Sequence, residues 1–318
     1  MKKPVVLITS RSFASHNPDP ILRLEQHGFE VIRIVAGAQS VEEQLWERLP
    51  TAVGVIAGLE RYDRALLERG KELKVISRYG VGYDKVDMDA ARALGITVTI
   101  TPGANEDSVA DLAFALLLCA CRNVAYSDRT LRSGREERPM GMELWQKTIG
   151  VVGTGRIGKG VVRRAKGFDM KVLCYDVYPD AAFAEAQGAQ YASMDTLLRE
   201  SDFISLHTPL TEETRNLISA RELALMKKTA VLVNTARGGI VEEGALYEAL
   251  KRGDIAAAAL DAMVYEPPCE SPLLTLDNFT ATSHFGATTY DSVHKMSSMA
   301  VDNLIAALET GRCTFAVS

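Results

Sequence analysis

A strand that ends in a glycine-spaced turn and runs straight into a helix leaves a chain few architectures, and residues 148–176, TIGVVGTGRIGKGVVRRAKGFDMKVLCYD, have that form. A β-branched run, Thr148 to Val152, meets Gly153, Gly155 and Gly158 in the spacing GxGxxG. A helical pattern follows with Val161, Val162, Ala165 and Phe168, and a second apolar run, Val172 to Tyr175, stops at Asp176. Each glycine answers a physical demand: Gly153 the turn out of the strand, Gly155 the approach of backbone to a pyrophosphate, Gly158 the close packing of helix on strand. The helix beginning there, with Arg156 and Ile157 in its first turn, aims unpaired N–H groups and its positive dipole end at the phosphates. Asp176, 23 residues beyond Gly153, stands where a carboxylate accepts from the adenosine ribose hydroxyls. Val177, Tyr178 and Pro179 follow it rather than a cation, so a 2′-phosphate would meet only negative charge. The stretch predicts a dinucleotide site selective for NAD over NADP.

The rest of the chain alternates in the same way. Before the glycine turn, strands are expected at Val5–Ile8, Val31–Val35, Val53–Ile56, Val75–Ser77 and Thr97–Ile100, with helices at Ile21–His27, Val41–Leu49 and Val86–Leu94. After it, strands are expected at Phe203–Leu206, Val231–Asn234, Ile255–Leu260 and Phe279–Ser283. Such alternation means βαβ units and parallel sheets. PGANEDSVA (102–110) reads as the crossover between two domains, with Ser108 or Asp107 capping the helix it opens. The last segment, Thr289 to Thr310, is one long helical pattern expected to return to the first domain. The predicted fold class is therefore α/β, with a substrate domain of residues 1–101 plus 290–318 and an NAD-binding domain of residues 102–289.

At 318 residues the chain is too long for one ordinary core and suits two domains. A net charge of −5 gives no footprint for nucleic acid or an anionic membrane. The apolar run Leu112–Ala120 is too short to span a bilayer. Five cysteines without regular spacing fit a reducing cytoplasm, Cys119 and Cys121 read as core packing, and no cluster has zinc spacing, so no metal is expected.

Ligands of doubly wound sheets bind beyond the carboxyl ends of the strands. There the sequence places Arg237 in TARGG, Asp261 and Glu266 in DAMVYEPP, and His284 followed by Phe285 and Gly286. A cation, a carboxylate and an imidazole at successive strand ends suit hydride transfer to a keto acid, which needs a fixed positive charge for the carboxylate and carbonyl and an acid/base for the oxygen.

These motifs, with SRYGVGYDKVDMDAARALGITVTITPGAN (77–105), HTPLTEETRNLI (207–218), VNTARGGIVEE (233–243) and SHFGATT (283–289), resemble the D-isomer-specific 2-hydroxyacid dehydrogenases over nearly the whole chain. The resemblance implies a Rossmann NAD-binding domain inserted in a flavodoxin-like substrate domain. It makes His284 the general acid/base, Glu266 its hydrogen-bond partner favouring the protonated ring, and Arg237 the carboxylate-binding and carbonyl-polarising cation. The N–H groups of Val81 and Gly82 would hold the substrate carboxylate, and Asp261 would accept from the nicotinamide amide. His207, Thr208, Pro209, Thr235, Ala236 and Gly286 would line the cofactor. Domain closure would exclude water.

Arg78, just before the GVG turn, fits phosphoglycerate-type members as a partner for a second anionic group, or else makes a structural ion pair. Where many members carry a Trp, this chain has Glu136, so a lid or cross-subunit wall differs. With Ser318 as the last residue, neither the C-terminal regulatory domain of some phosphoglycerate dehydrogenases nor serine feedback through it is expected. The expected enzyme is a cytoplasmic, homodimeric NAD-dependent dehydrogenase of a small 2-hydroxy or 2-keto acid, 3-phosphohydroxypyruvate included. Alternatives are a glyoxylate/hydroxypyruvate reductase, a phosphite- or formate-type dehydrogenase on the same frame, or, in another class, an NAD-sensing corepressor.

Overall fold

Short aliphatic runs become parallel strands here because each is buried on both faces by the helices that connect it to the next. The computed structural model describes residues 3–318. One unit runs to Asn105 and resumes at Ala287; the other is Glu106–Gly286.

In the first unit, β1 (Val5–Ile8), α1 (Asp19–Gln26), β2 (Glu30–Arg33), α2 (Val41–Arg48), β3 (Ala52–Ala57), α3 (Arg64–Arg69), β4 (Val75–Arg78), α4 (Met88–Ala93) and β5 (Thr97–Thr99) alternate. The strands form a parallel sheet in the order β2-β1-β3-β4-β5, the flavodoxin-like order. The sequence reading has no helix at α3, whose six residues offer too little periodicity; its start is fixed by Asp63, which accepts from the Leu66 N–H at 3.0 Å.

In the second unit, α5 (Glu106–Cys121), α6 (Val124–Arg132), β6 (Thr148–Val152), α7 (Arg156–Ala165), β7 (Lys171–Tyr175), α8 (Ala181–Gln187), β8 (Gln190–Tyr191), α9 (Met194–Glu200), β9 (Phe203–Leu206), α10 (Ala220–Leu225), β10 (Val231–Asn234), α11 (Glu243–Arg252), β11 (Ala257–Leu260) and β12 (Phe279–Ala281) follow one another. Their parallel sheet has the order β12-β11-β10-β9-β6-β7-β8, which reverses between β6 and β9 as in a Rossmann sheet. One face packs Ala113, Leu117, Val161 and Val162 on Ile149, Val151 and Val233. The other packs Leu197, Leu223 and Leu246 on Ile204, Leu206 and Leu232. The helix after the crossover begins at Glu106, so neither Asp107 nor Ser108 caps it. Asp107 instead pairs with Arg164 at 3.3 Å, and the Ser108 hydroxyl donates to the Gly286 carbonyl at 2.6 Å. The helical stretch ends early because Asn123 adopts φ 55°, and α6 leaves at a 62° bend.

The last helix, α12 (Tyr290–Thr310), is capped by Thr289, which accepts from the Ser292 N–H at 3.2 Å, and stops at Gly311 with φ 67°. Ala300, Val301 and Leu304 lie against Val6, Ile8, Ile56 and Val75 in the first unit. A Cβ on Gly54 would stand 3.1 Å from Leu304 Cδ1, so β3 has glycine where the helix presses closest. Leu304 is fully buried; Leu304→Ala should cost about 2–5 kcal/mol, measured by equilibrium urea denaturation.

Candidate active site

The glycine turn is built by steric exclusion. Gly153 has φ 89°, and a Cβ there would lie 2.7 Å from the His207 carbonyl carbon at the end of β9. A Cβ on Gly158 would lie 1.9 Å from the Gly153 carbonyl oxygen. Gly155 differs: its φ is −65° and a Cβ would meet nothing within 4 Å. Space over Gly155, at the start of α7 with Arg156 and Ile157, is what a pyrophosphate needs.

At the end of β7, Asp176 Oδ2 accepts from the Thr154 N–H at 2.6 Å and the Thr154 hydroxyl at 3.0 Å, and Oδ1 from the Tyr178 N–H at 2.9 Å. Partial burial opposes ionisation, but these donors outweigh it and hold the carboxyl below its ordinary pKa. Beyond β9 and β10, the His207 Nδ1, Thr208 hydroxyl and Thr235 hydroxyl are buried and lack partners. His207 Nε2 meets the buried Ser205 hydroxyl at 2.8 Å, and burial pushes the imidazole down to about 3, leaving it neutral near pH 7. Buried polar atoms without partners are costly; a dinucleotide lying on the glycine turn would supply them, so these residues fit NAD. Pro209 and Ala236 are held close by, the first by the Thr214 hydroxyl donating to its carbonyl at 2.6 Å, the second by its N–H donating to Asn234 Oδ1 at 2.9 Å.

Three loops carry the residues expected to do acid/base work. After β10, Asn234 Nδ2 donates to the Arg237 carbonyl at 2.8 Å, while Arg237 Nη1 donates to the Ala236 carbonyl at 2.7 Å. After β11, the buried Asp261 accepts at Oδ1 from the Thr282 hydroxyl at 2.6 Å and the Phe285 N–H at 3.0 Å, and at Oδ2 from the Gly286 N–H at 3.0 Å. The Asp261 carbonyl accepts from the His284 N–H at 2.9 Å. These bonds hold His284 at φ 53°, a left-handed conformation a histidine rarely adopts. Its Nδ1 then lies 2.6 Å from Glu266 Oε1, with both side chains about four-fifths buried.

Beside the cofactor role that the sequence implies for it, Asp261 braces the His284 turn through its carboxylate. The sequence reading named neither Ser205 nor Asn234. Polar residues inside or at the end of apolar runs were the available signal. In the first unit, Arg78 is 5% exposed and its Nε donates to the Gly82 carbonyl at 3.0 Å, so it braces the GVG turn that contains Val81. Glu136, at the departure from the family pattern, pairs with Arg138 at 2.7 Å on the surface.

Residues 114–286 match the family model described as D-isomer specific 2-hydroxyacid dehydrogenase, NAD binding domain. The chain is 44% identical over 267 residues to a D-3-phosphoglycerate dehydrogenase of Methanocaldococcus jannaschii, covering 83% of this chain but 51% of that protein; it thus spans about half that relative's length. It is 41% identical over 292 residues to a glyoxylate reductase of Korarchaeum cryptofilum, covering 89% of this chain and 88% of the relative. A solved NADPH-dependent glyoxylate/hydroxypyruvate reductase from Sinorhizobium meliloti, in complex with NADP and malonate, superposes with TM-score 0.84 at 29% identity, covering 100% of this chain and 97% of that one.

The two glycines should part company on substitution. Gly155→Val should fold with near-native thermal stability yet lose at least about tenfold in NADH affinity by fluorescence titration, whereas Gly158→Val should fail to fold stably. Because the unfolded chain binds a proton at His207 below its ordinary 6.5 and the folded chain resists to about 3, stability should fall as pH drops through that window. His207→Gln should flatten the acid side of a melting-temperature profile.

Proposed function

This chain belongs to the D-isomer specific 2-hydroxyacid dehydrogenase family, and on that premise we propose that it reduces a small, unphosphorylated 2-keto acid such as glyoxylate or hydroxypyruvate with NADH. The observation that carries the reading is the His284–Glu266 pair at 2.6 Å, held beyond the strands of an NAD-binding sheet. Bound NADH would supply the hydride. Glu266 orients the imidazole through Nδ1, leaving Nε2 to deliver a proton to the substrate oxygen. Arg237 supplies the charge for the substrate carboxylate and the carbonyl. Asp176 favours NADH over NADPH, since its carboxylate would repel a 2′-phosphate.

Arg78 bears on the acceptor class. Its guanidinium is nearly fully buried and its Nε is engaged with Gly82, which supports a structural role over capture of a substrate phosphate. The glyoxylate reductase of K. cryptofilum, matched over most of its length, supports the same choice.

The proposed setting is the cytoplasm, on the strength of five free cysteines, and no single helix among the described residues is long and apolar enough to cross a membrane. The proposed assembly is a homodimer through α5, α6 and the segment after them, where Leu118, Val124, Leu131 and Met140 are exposed; sedimentation velocity would read the dimer directly.

NADH oxidation across a panel of 2-keto acids with and without a phosphate tests the function. Turnover of glyoxylate or hydroxypyruvate is expected, falling about 10²–10⁴-fold in His284→Ala. Preference for phosphorylated acceptors that collapses in Arg78→Ala would restore the phosphoglycerate reading. Tight NADH binding with no turnover of any acid, phosphite or formate would replace the enzyme with a sensor.

A further inference from the structure

The segment that brings Glu266 to His284 has no regular structure of its own. It leaves β11 buried, with Asp261, Ala262 and Met263 each at most 3% exposed, then emerges, with Val264 52% and Tyr265 80% exposed. An exposed loop does not by itself hold a carboxylate at 2.6 Å from an imidazole. Two contacts from the neighbouring loop and helix brace it. Gly238 lies so close that a Cβ would be 2.2 Å from the Met263 carbonyl carbon and oxygen, so the two loops touch backbone to backbone. The Val264 N–H, two residues before Glu266, donates to Glu243 Oε1 at 2.7 Å.

Glu243 is the first residue of α11, but the helix does not need it as a cap, because Glu242 already accepts from the Ala245 N–H at 2.9 Å. Burial pushes the Glu243 carboxyl above its ordinary pKa, with the Val264 amide acting against that shift. A carboxylate that is costly to bury and surplus to its own helix has its use in the contact it makes.

We propose that Glu243 is a positioning residue for the proton-transfer pair, fixing through the Val264 amide the segment that delivers Glu266 to His284. The inference rests on the function proposed above. It adds a residue that touches neither substrate nor cofactor and acts only through Glu266.

The test compares Glu243→Gln, which keeps an acceptor oxygen for the Val264 amide, with Glu243→Leu, which removes it, each alone and in a Glu266→Ala background. Wild-type turnover is measured first. Gln should retain wild-type kcat. Leu should lower kcat about tenfold with the NADH dissociation constant unchanged, and should cause no further loss once Glu266 is gone. Losses that multiply in the double variant, an unchanged kcat in Leu, or a fall in NADH affinity alongside kcat would each overturn the proposal. Should the Leu variant fail to fold, Glu243→Asp, which draws the acceptor back by one methylene, takes its place with the same expectations. If the wild type turns over no acid, the enzyme reading fails, and the positioning claim is then read by ¹⁵N NMR of the His284 imidazole. Its signals should move in Leu and not in Gln, and signals unmoved in both would overturn the claim.

Discussion

Parallel pairing puts the carboxyl ends of β6, β9, β10, β11 and β12 along one edge of a single sheet, and the working groups of the second unit hang from that edge. The sheet supplies rigidity, since its strands are buried on both faces. What remains is to hold irregular loops in register with one another beyond it. The chain does this with buried polar atoms rather than with more strand. Asp261 ties the end of β11 to the turn after β12, Asn234 ties the turn after β10 to itself, and Glu243 ties α11 to the loop after β11. Each uses a buried or half-buried side chain to satisfy a backbone group that has no ladder partner.

The cofactor half and the proton-transfer half are finished to different degrees. Around the glycine turn, the His207 Nδ1 and the hydroxyls of Thr208 and Thr235 are buried without partners. Around His284, Glu266 and the Asp261 bonds are already made. A dinucleotide on the glycine turn would satisfy those groups, whereas the His284–Glu266 contact proposed for proton transfer is already formed without one.

The glycines show how one residue type serves opposed ends. Gly153, Gly158 and Gly238 are needed because another part of the backbone occupies the place of a Cβ. Gly155 is needed although nothing in the protein occupies that place. The first kind answers a demand of folding and the second leaves room over the backbone that a pyrophosphate would need, the division that their places in the GxGxxG spacing imply.

The alternation of apolar runs, the glycine spacing and Asp176 determined the two α/β units, the dinucleotide turn and the strands that bear Arg237, Asp261 and His284, because those signals are local and repeat along the chain. The long final helix was equally legible from its own periodicity. Two elements were not, α3 and β8, of six and two residues. Nor was the work of Asp261, Arg78 and Glu243. Arg78 binds Gly82 only four residues away, yet whether its guanidinium turns inward depends on the burial around it. Asp261 meets Gly286 across 25 residues and Glu243 meets Val264 across 21. Such bonds depend on which strands lie side by side, and parallel strands become neighbours only after the helices between them have packed. The sequence therefore determined which chemistry stands at each strand end, and the tertiary structure decided which of those side chains lie together and which backbone groups they hold.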